Sequence, residues 1–91
     1  MINEDKIRET FAVNPEKGFG MLMEAFQQPV YWHIRRMVVS HDDAEDVLQE
    51  TFIRIFRYLD DFRAESTLST WIYRIATNEC IRFLNNRKEQ T

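Results

Sequence analysis

The segment from Phe62 to Asn78 concentrates residue types that bind nucleobases. Three hydroxyl residues fall within four positions, and a tryptophan, an arginine and an asparagine follow at helical spacing: Ser66, Thr67, Ser69, Trp71, Arg74 and Asn78. Indole rings stack on bases, whereas guanidinium, amide and hydroxyl groups form hydrogen bonds with base edges and phosphates. A solvated helix face beside one core tryptophan explains the same residues equally well. The residue types alone therefore leave both interpretations open.

A second group of residues lies on the helix predicted just before this segment. Its outward positions are mostly polar with one β-branched apolar residue among them: Asp46, Gln49, Glu50 and Ile53. A dry apolar centre with a polar rim is typical of a protein interface, and we favour that interpretation over a solvated acidic face. A two-metal carboxylate site is not expected, because neither His33 nor His41 stands in a Glu-x-x-His relation.

No set of residues predicts catalysis. The chain has two histidines, no glycine-rich phosphate loop and no spacing typical of a metal site. The single cysteine, Cys80, falls on a predicted core stripe, where it is expected to pack as a small apolar residue. We therefore expect a protein that is not an enzyme and that binds no cofactor or metal.

Composition favours a helical domain in a reducing compartment. Of the 91 residues 44% are hydrophobic, and two glycines and two prolines are few for a sheet-rich domain of this size. A single cysteine cannot form an internal disulfide. No apolar run approaches membrane-spanning length, and the first six residues lack the layout of a signal peptide. We expect a cytoplasmic chain without membrane insertion.

Hydrophobic spacing predicts four helices, at about residues 3–11, 16–39, 43–59 and 67–86. Pro15 suits the first turn of the second helix, and Pro29 is expected to kink that helix because it removes one backbone hydrogen bond. Glycines 18 and 20 are expected to weaken its start. The predicted fold is all-α, a compact bundle of about four helices that forms a single domain over residues 1–91.

The three longer helices each have a predicted core stripe. The second contributes Phe19, Leu22, Met23, Phe26, Val30, Ile34 and Met37. The third contributes Ala44, Leu48, Thr51, Phe52, Ile55 and Leu59. The fourth contributes Ile72, Ala76, Cys80, Phe83 and Leu84. We expect His33 to be a satisfied core histidine, and Tyr31 and Trp32 to be partly buried.

Charge is unevenly distributed along the chain. The net charge is −3, but residues 1–41 are neutral, residues 42–61 carry −5 and residues 62–91 carry +2. An acidic middle and a mildly basic C-terminal third predict two different partner surfaces. Five Lys and Arg residues in that third are too few to bind duplex DNA firmly alone, because affinity follows the number of phosphates neutralised.

Two stretches of the sequence resemble a known family. The run Asp42-Asp-Ala-Glu-Asp-Val-Leu-Gln-Glu-Thr-Phe-Ile-Arg-Ile-Phe-Arg-Tyr-Leu59 precedes Phe62-Arg63 and Ser69-Thr-Trp-Ile-Tyr-Arg-Ile-Ala-Thr-Asn78. This composite pattern closely resembles region 2 of the sigma-70 family of transcription initiation factors, above all its extracytoplasmic-function (ECF) group. The resemblance covers roughly residues 19–88, nearly the whole chain.

The resemblance implies two sites. Its polymerase-docking residues, for the coiled coil of the RNA polymerase β′ subunit, are Asp46, Gln49, Glu50 and Ile53. The turn and helix after Phe62 are implied to melt and read the promoter −10 element by capturing a flipped-out base of the non-template strand. The implied DNA-binding residues are Phe62, Arg63, Ala64, Glu65, Ser66, Thr67, Trp71, Tyr73, Arg74, Asn78 and Arg82.

A flipped base needs a pocket that offsets the lost stacking. We expect hydroxyls and backbone amides of residues 64–67 to line it, with the N-terminus of the fourth helix adding a positive field. Family members also carry a −35-reading domain after a linker, and nothing in this sequence corresponds to it, so we expect an isolated region 2 domain. An anti-sigma factor is an expected partner. The alternative is a helical protein-interaction domain without direct DNA contact.

Overall fold

A computed structural model describes residues 3–62 and 66–89, and these form a bundle of helices. The four α-helices are α1 (Glu4–Val13), α2 (Pro15–Arg35), α3 (His41–Tyr58) and α4 (Leu68–Glu89), with a short 3₁₀ turn at Leu59–Asp61 after α3. The described residues contain no strand. The predicted all-α fold is confirmed, and none of the described helices is long and apolar enough to cross a membrane.

Short polar residues fix the starts of the first three helices. Asn3 caps α1 by accepting a hydrogen bond from the Lys6 amide at 3.1 Å. Asn14 ends α1 and also caps α2, where Pro15 takes the first helical position. Ser40 caps α3 by accepting from the Asp43 amide at 3.3 Å. Each cap satisfies a backbone donor that has no partner inside its helix.

One continuous core lies between the four helices. Its fully buried large side chains come from the middle of the chain and from α4, with Phe26, Leu22, Ile34, Ile55, Leu68 and Ile72 the largest. All six residues of the predicted α3 stripe are buried, as are Leu22, Phe26, Val30 and Ile34 of the α2 stripe. In α1, Ile7 and Phe11 seal the core from one end. The helical period therefore predicted most of the core.

The end of α2 differs from the prediction. The helix ends at Arg35, not near residue 39, and its last turn tightens as the Arg36 amide donates to the His33 carbonyl at 3.3 Å. Val38 then turns into the core and Val39 points outward, 89% exposed. Val38 is buried four residues after Ile34, so the apolar spacing of α2 continues past Arg35 although the backbone there is no longer helical. This spacing is the reason that a longer helix was predicted. The α-helix continues through Pro29, and the predicted kink there stays a prediction.

Two apolar side chains, Trp32 and Leu84, are more exposed than predicted. Trp32 is 57% exposed, so the expectation of partial burial is wrong for it, although it holds for Tyr31. The Tyr31 ring occupies the inner position and packs edge-on against Trp32, with centroids 5.1 Å apart. Leu84 is exposed on α4, because the bundle no longer covers this helix near its C-terminal end.

Polar contacts tie α4 to the rest of the bundle. Arg54 on α3 forms an ion pair with Glu79, which is only 6% exposed. Near the helix ends, Arg87 donates to the Asp43 carboxylate at 2.6 Å. On the α2 side, His33 is hydrogen-bonded through Nε2 to Thr77 Oγ1 at 2.8 Å, but the residue is half-buried and not, as predicted, part of the core. These contacts fix which face of α4 looks outward.

Candidate nucleic-acid interface and docking groove

An open groove of about 520 Å³ lies between α2 and α3. We call it the docking groove. It is lined by Phe19, Met23, Gln27, Glu45, Asp46, Leu48, Gln49, Phe52, Ile53 and Phe56. Three phenylalanines build its floor, with the Phe19 ring 5.0 Å from Phe56 and 6.2 Å from Phe52 in edge-to-face contacts. The groove therefore has an apolar floor and an amide and carboxylate rim.

Three of the four predicted polymerase-docking residues line this groove. Asp46 and Gln49 belong to the rim, and Ile53 is 44% exposed at the floor. Glu50 instead lines a cleft of about 290 Å³ between α3 and α4, which Asp46 also borders. The sequence-based interpretation missed Phe19, Met23 and Phe56. Phe56 lies one turn after Ile53, so its spacing carried the signal, but the two α2 residues were assigned to the core.

One face of α4 carries four of the five DNA-binding residues that were predicted on this helix. Trp71, Arg74, Asn78 and Arg82 follow one another at intervals of three or four, which places them on the same side of the helix. Arg74, Asn78 and Arg82 are exposed, whereas Trp71 is half-buried with its ring 5.3 Å from that of Phe62. We call this surface the reading face. The polar groups of the reading face are accessible, and the Trp71 indole packs against the Phe62 ring.

Tyr73 lies on a different side of α4 from the reading face. Its ring packs against His33 on α2, with centroids 5.1 Å apart and planes at 67°. A residue two positions after Trp71 is turned about 200° around a helix, which explains the separation. The structure thus brings Trp71, Arg74, Asn78 and Arg82 together and does not place Tyr73 among them. Its implied contact with DNA stays a prediction.

The turn before α4 is described only at its two flanks. Predicted DNA-binding residues Arg63, Ala64 and Glu65 lie outside the described residues. After them, Ser66 Oγ donates to the Thr67 carbonyl at 3.3 Å. Thr67 Oγ1 accepts from the Thr70 amide at 3.1 Å and donates to Thr70 Oγ1 at 2.9 Å. Both predicted pocket hydroxyls are therefore already engaged within the chain, and Thr67 serves as a cap for α4.

The N-terminus of α4 is occupied by a carboxylate from α1. Glu4 Oε1 accepts from the Leu68 amide at 2.5 Å, and Glu4 Oε2 accepts from Ser69 Oγ at 2.9 Å. This arrangement corrects the expectation of a positive field open to DNA, because the negative charge offsets the helix dipole where the field is strongest. Nothing in the local sequence signals a contact between residues 64 or 65 positions apart.

Cys80 has the environment expected of a packing residue. Its side chain is fully buried. Burial raises the pKa of the Cys80 thiol, and the neighbouring Glu79 carboxylate raises it further. Within residues 3–62 and 66–89, no three His, Cys, Asp or Glu side chains come together as a metal site would require.

Together these features define a small all-α domain with an apolar groove between α2 and α3 and a polar face on α4. The family model for Sigma-70 region 2 matches residues 22–90. The chain belongs to the sigma-70 family as a region 2 domain of the ECF group, and the predicted family is thereby confirmed.

Individual relatives agree with this assignment. The ECF RNA polymerase sigma-E factor of Haemophilus influenzae is 35% identical over 83 residues, 91% of this chain and 43% of that protein. The sigma-E factor of Escherichia coli K12 is 42% identical over 69 residues, 76% of this chain and 36% of that protein. The chain thus spans less than half the length of these relatives.

A solved structure matches nearly the whole chain. It is the NMR structure of an engineered region 2 of sigmaE in complex with GTAAAA. The two chains are 33% identical and agree with a TM-score of 0.87, over 97% of this chain and 92% of the other.

Proposed function

We propose that this chain is the domain of an ECF sigma factor that docks on RNA polymerase and recognises the promoter −10 element as single-stranded DNA. The observation that carries the proposal is the structural match over 97% of the chain to a region 2 domain that was solved with GTAAAA. The domain acts by binding, without a catalytic step or a cofactor. Since its two proposed partners are RNA polymerase and promoter DNA, the domain acts in the cytoplasm.

The docking groove is the proposed contact with polymerase. An apolar floor with side chains from two helices accepts the apolar face of a partner helix. The acidic and amide rim, within a segment of net charge −5, favours a partner helix with basic flanks. The coiled coil of the β′ subunit is the proposed occupant. An anti-sigma factor that covers this groove or the reading face is a further proposed partner.

The reading face is the proposed contact with the non-template strand. Trp71 offers an indole for stacking, while Arg74 and Asn78 offer hydrogen-bond donors to a base or phosphate. Three exposed cationic or amide side chains next to one indole give little phosphate neutralisation, so affinity for DNA alone is low. Polymerase supplies the remaining DNA contacts, and this domain selects the sequence.

The DNA assignment is tested with Asn78→Ala in holoenzyme containing the complete protein. We expect about tenfold weaker binding of a single-stranded −10 oligonucleotide, because one base-directed amide is lost. Asn86→Ala is the matched control, since this exposed amide of α4 is turned about 80° from Asn78 and borders the clefts beside α3. Both variants should bind polymerase normally. If Asn78→Ala also transcribes and binds DNA normally, the alternative of a purely protein-binding domain is favoured.

The docking assignment is tested with Ile53→Asp and with the double variant Gln49→Ala, Glu50→Lys. A carboxylate buried against the phenylalanine floor costs several kcal/mol, so capture of the β′ coiled coil should fall at least a hundredfold. Val39→Asp adds the same charge at an exposed valine outside the groove and serves as the control. Undiminished capture by Ile53→Asp would exclude the groove as the docking surface.

A further inference from the structure

Two residues of α1, one helical turn apart, contact both flanks of the turn that precedes the reading face. Glu4 holds the later flank through the Leu68 amide and Ser69 Oγ, at 2.5 and 2.9 Å. Arg8 holds the earlier flank, with its guanidinium carbon 5.4 Å from the centre of the Phe62 ring. The same Phe62 ring packs against Trp71, so α1 reaches the reading face through one intermediate ring.

The Glu4 carboxylate serves two helices at once. It lies in the first turn of α1, where a negative charge already complements the helix dipole. It also meets the first turn of α4, and each of its oxygens accepts one hydrogen bond there. Hydrogen bonds to an ionised group are the stronger kind, and these are partly buried. The start of α4 is therefore fixed by a residue that lies more than 60 positions earlier in the chain.

We propose that Glu4 and Arg8 are positioning residues for promoter recognition, which set the distance between Phe62 and the start of α4. The inference rests on the proposed function of the reading face. Neither residue is required to touch DNA. Their role is to hold Trp71 and the α4 N-terminus in the geometry that accepts a base, so that no ordering cost falls on the DNA-binding step.

Removing the Glu4 carboxylate distinguishes a positioning role of Glu4 from a purely electrostatic one. A carboxylate near a DNA-binding face repels phosphates, so its loss should strengthen binding if charge alone matters. If Glu4 positions the flank, its loss should weaken binding even though a negative charge has been removed. The two interpretations predict opposite signs, which makes the measurement decisive.

The test uses polymerase holoenzyme with the complete protein and a labelled single-stranded oligonucleotide, chosen by selecting a random pool with the wild-type holoenzyme. Glu4→Ala should bind this probe about tenfold more weakly. Glu4→Gln should fall between Glu4→Ala and wild type, because an amide keeps one acceptor oxygen. Glu9→Ala is the matched control, since it removes an exposed glutamate from the same helix. All three should bind polymerase as wild type does.

A local readout accompanies the affinities. The Leu68 amide, which Glu4 accepts from in the wild-type chain, should lose its protection from hydrogen exchange in Glu4→Ala and keep it in Glu9→Ala. If Glu4→Ala does not fold, Ser69→Ala removes a single donor to the same carboxylate and is expected to weaken DNA binding about threefold.

The inference is overturned if Glu4→Ala binds the probe as tightly as wild type or more tightly. It is also overturned if every loss of DNA affinity is matched by an equal loss of polymerase affinity, since that would show general destabilisation. Failure of the wild-type holoenzyme to select any −10 sequence refutes the proposed function instead. The two failures are thus distinguishable.

Discussion

The two glycines of α2 should respond to alanine in opposite ways. Gly18 and Gly20 are both inside the helix, two residues apart. A methyl group added at Gly20 meets no atom within 4 Å. A methyl group added at Gly18 would lie 2.7 Å from the Phe11 Cβ and even closer to the Phe11 backbone. Gly18 therefore permits the close approach of α1, whereas Gly20 only costs conformational entropy.

The magnitudes follow from these distances. Gly20→Ala should stabilise the domain by about 0.5–1 kcal/mol, because alanine is the better helix former. At Gly18 the same gain is opposed by overlap, since carbon atoms prefer separations of about 3.5–4.0 Å and α1 must retreat by roughly 1 Å. Overpacking against backbone costs about 1–3 kcal/mol, and more if Ile7 and Phe11 lose part of their burial.

Urea and thermal unfolding followed by circular dichroism measure both changes. For a domain of this size 1 kcal/mol corresponds to about 4–8 °C in Tm, so an overlap cost of about 1–3 kcal/mol should separate the two variants by roughly 4–24 °C. Gly18→Ala should also weaken binding of the −10 probe, because it displaces the helix that carries Glu4 and Arg8. Equal stability of the two variants would refute the close contact between α1 and α2.

Two further predictions concern α4. Burial and Glu79 raise the pKa of the Cys80 thiol above its value in the unfolded chain, so the free energy of unfolding should fall as the pH rises above about 8.5. Because Cys80 is buried, iodoacetamide should label it only through unfolding, at a rate that urea increases. Rapid labelling of the native domain would contradict this. Arg54→Ala should cost about 2–4 kcal/mol in urea unfolding because Glu79 then stays buried without its partner, whereas the exposed Arg57→Ala should stay within about 0.5 kcal/mol. Similar losses in the two arginine variants would show that the ion pair does not hold α3 to α4.

Local patterns were sufficient for the helices and for much of the site. The capping residues Asn14 and Ser40 and the spacing of the α3 stripe act within a few residues, so they can be read directly from the sequence. The same holds for the outward position of Ile53 and for the shared face of Trp71, Arg74 and Asn78, because helical geometry alone places them. The family resemblance rested on these same stretches.

Only the tertiary structure determined which residues far apart in the sequence contact and bury one another. The docking groove needed α2 to lay Phe19 and Met23 beside α3, and the spacing of α2 by itself assigned both to the core. Leu84 lies on the predicted α4 stripe and Trp32 lies beside the α2 stripe, yet both side chains are exposed. Burial depends on the neighbouring helices, which a periodic pattern within one helix does not contain.

The segment from Phe62 to Asn78 shows the same division. Helical spacing placed Trp71, Arg74 and Asn78 on one face, and the family resemblance, not the residue types alone, implied that this face binds DNA. Only the folded chain brought Glu4 to the Leu68 amide and Arg8 to the Phe62 ring, across more than 50 intervening residues. A carboxylate in the first turn of α1 looks like an ordinary helix-dipole contact in the sequence. Its second role, at the start of α4, depends on the close packing of α1 against Gly18 of α2, where a larger residue would keep α1 and α2 apart.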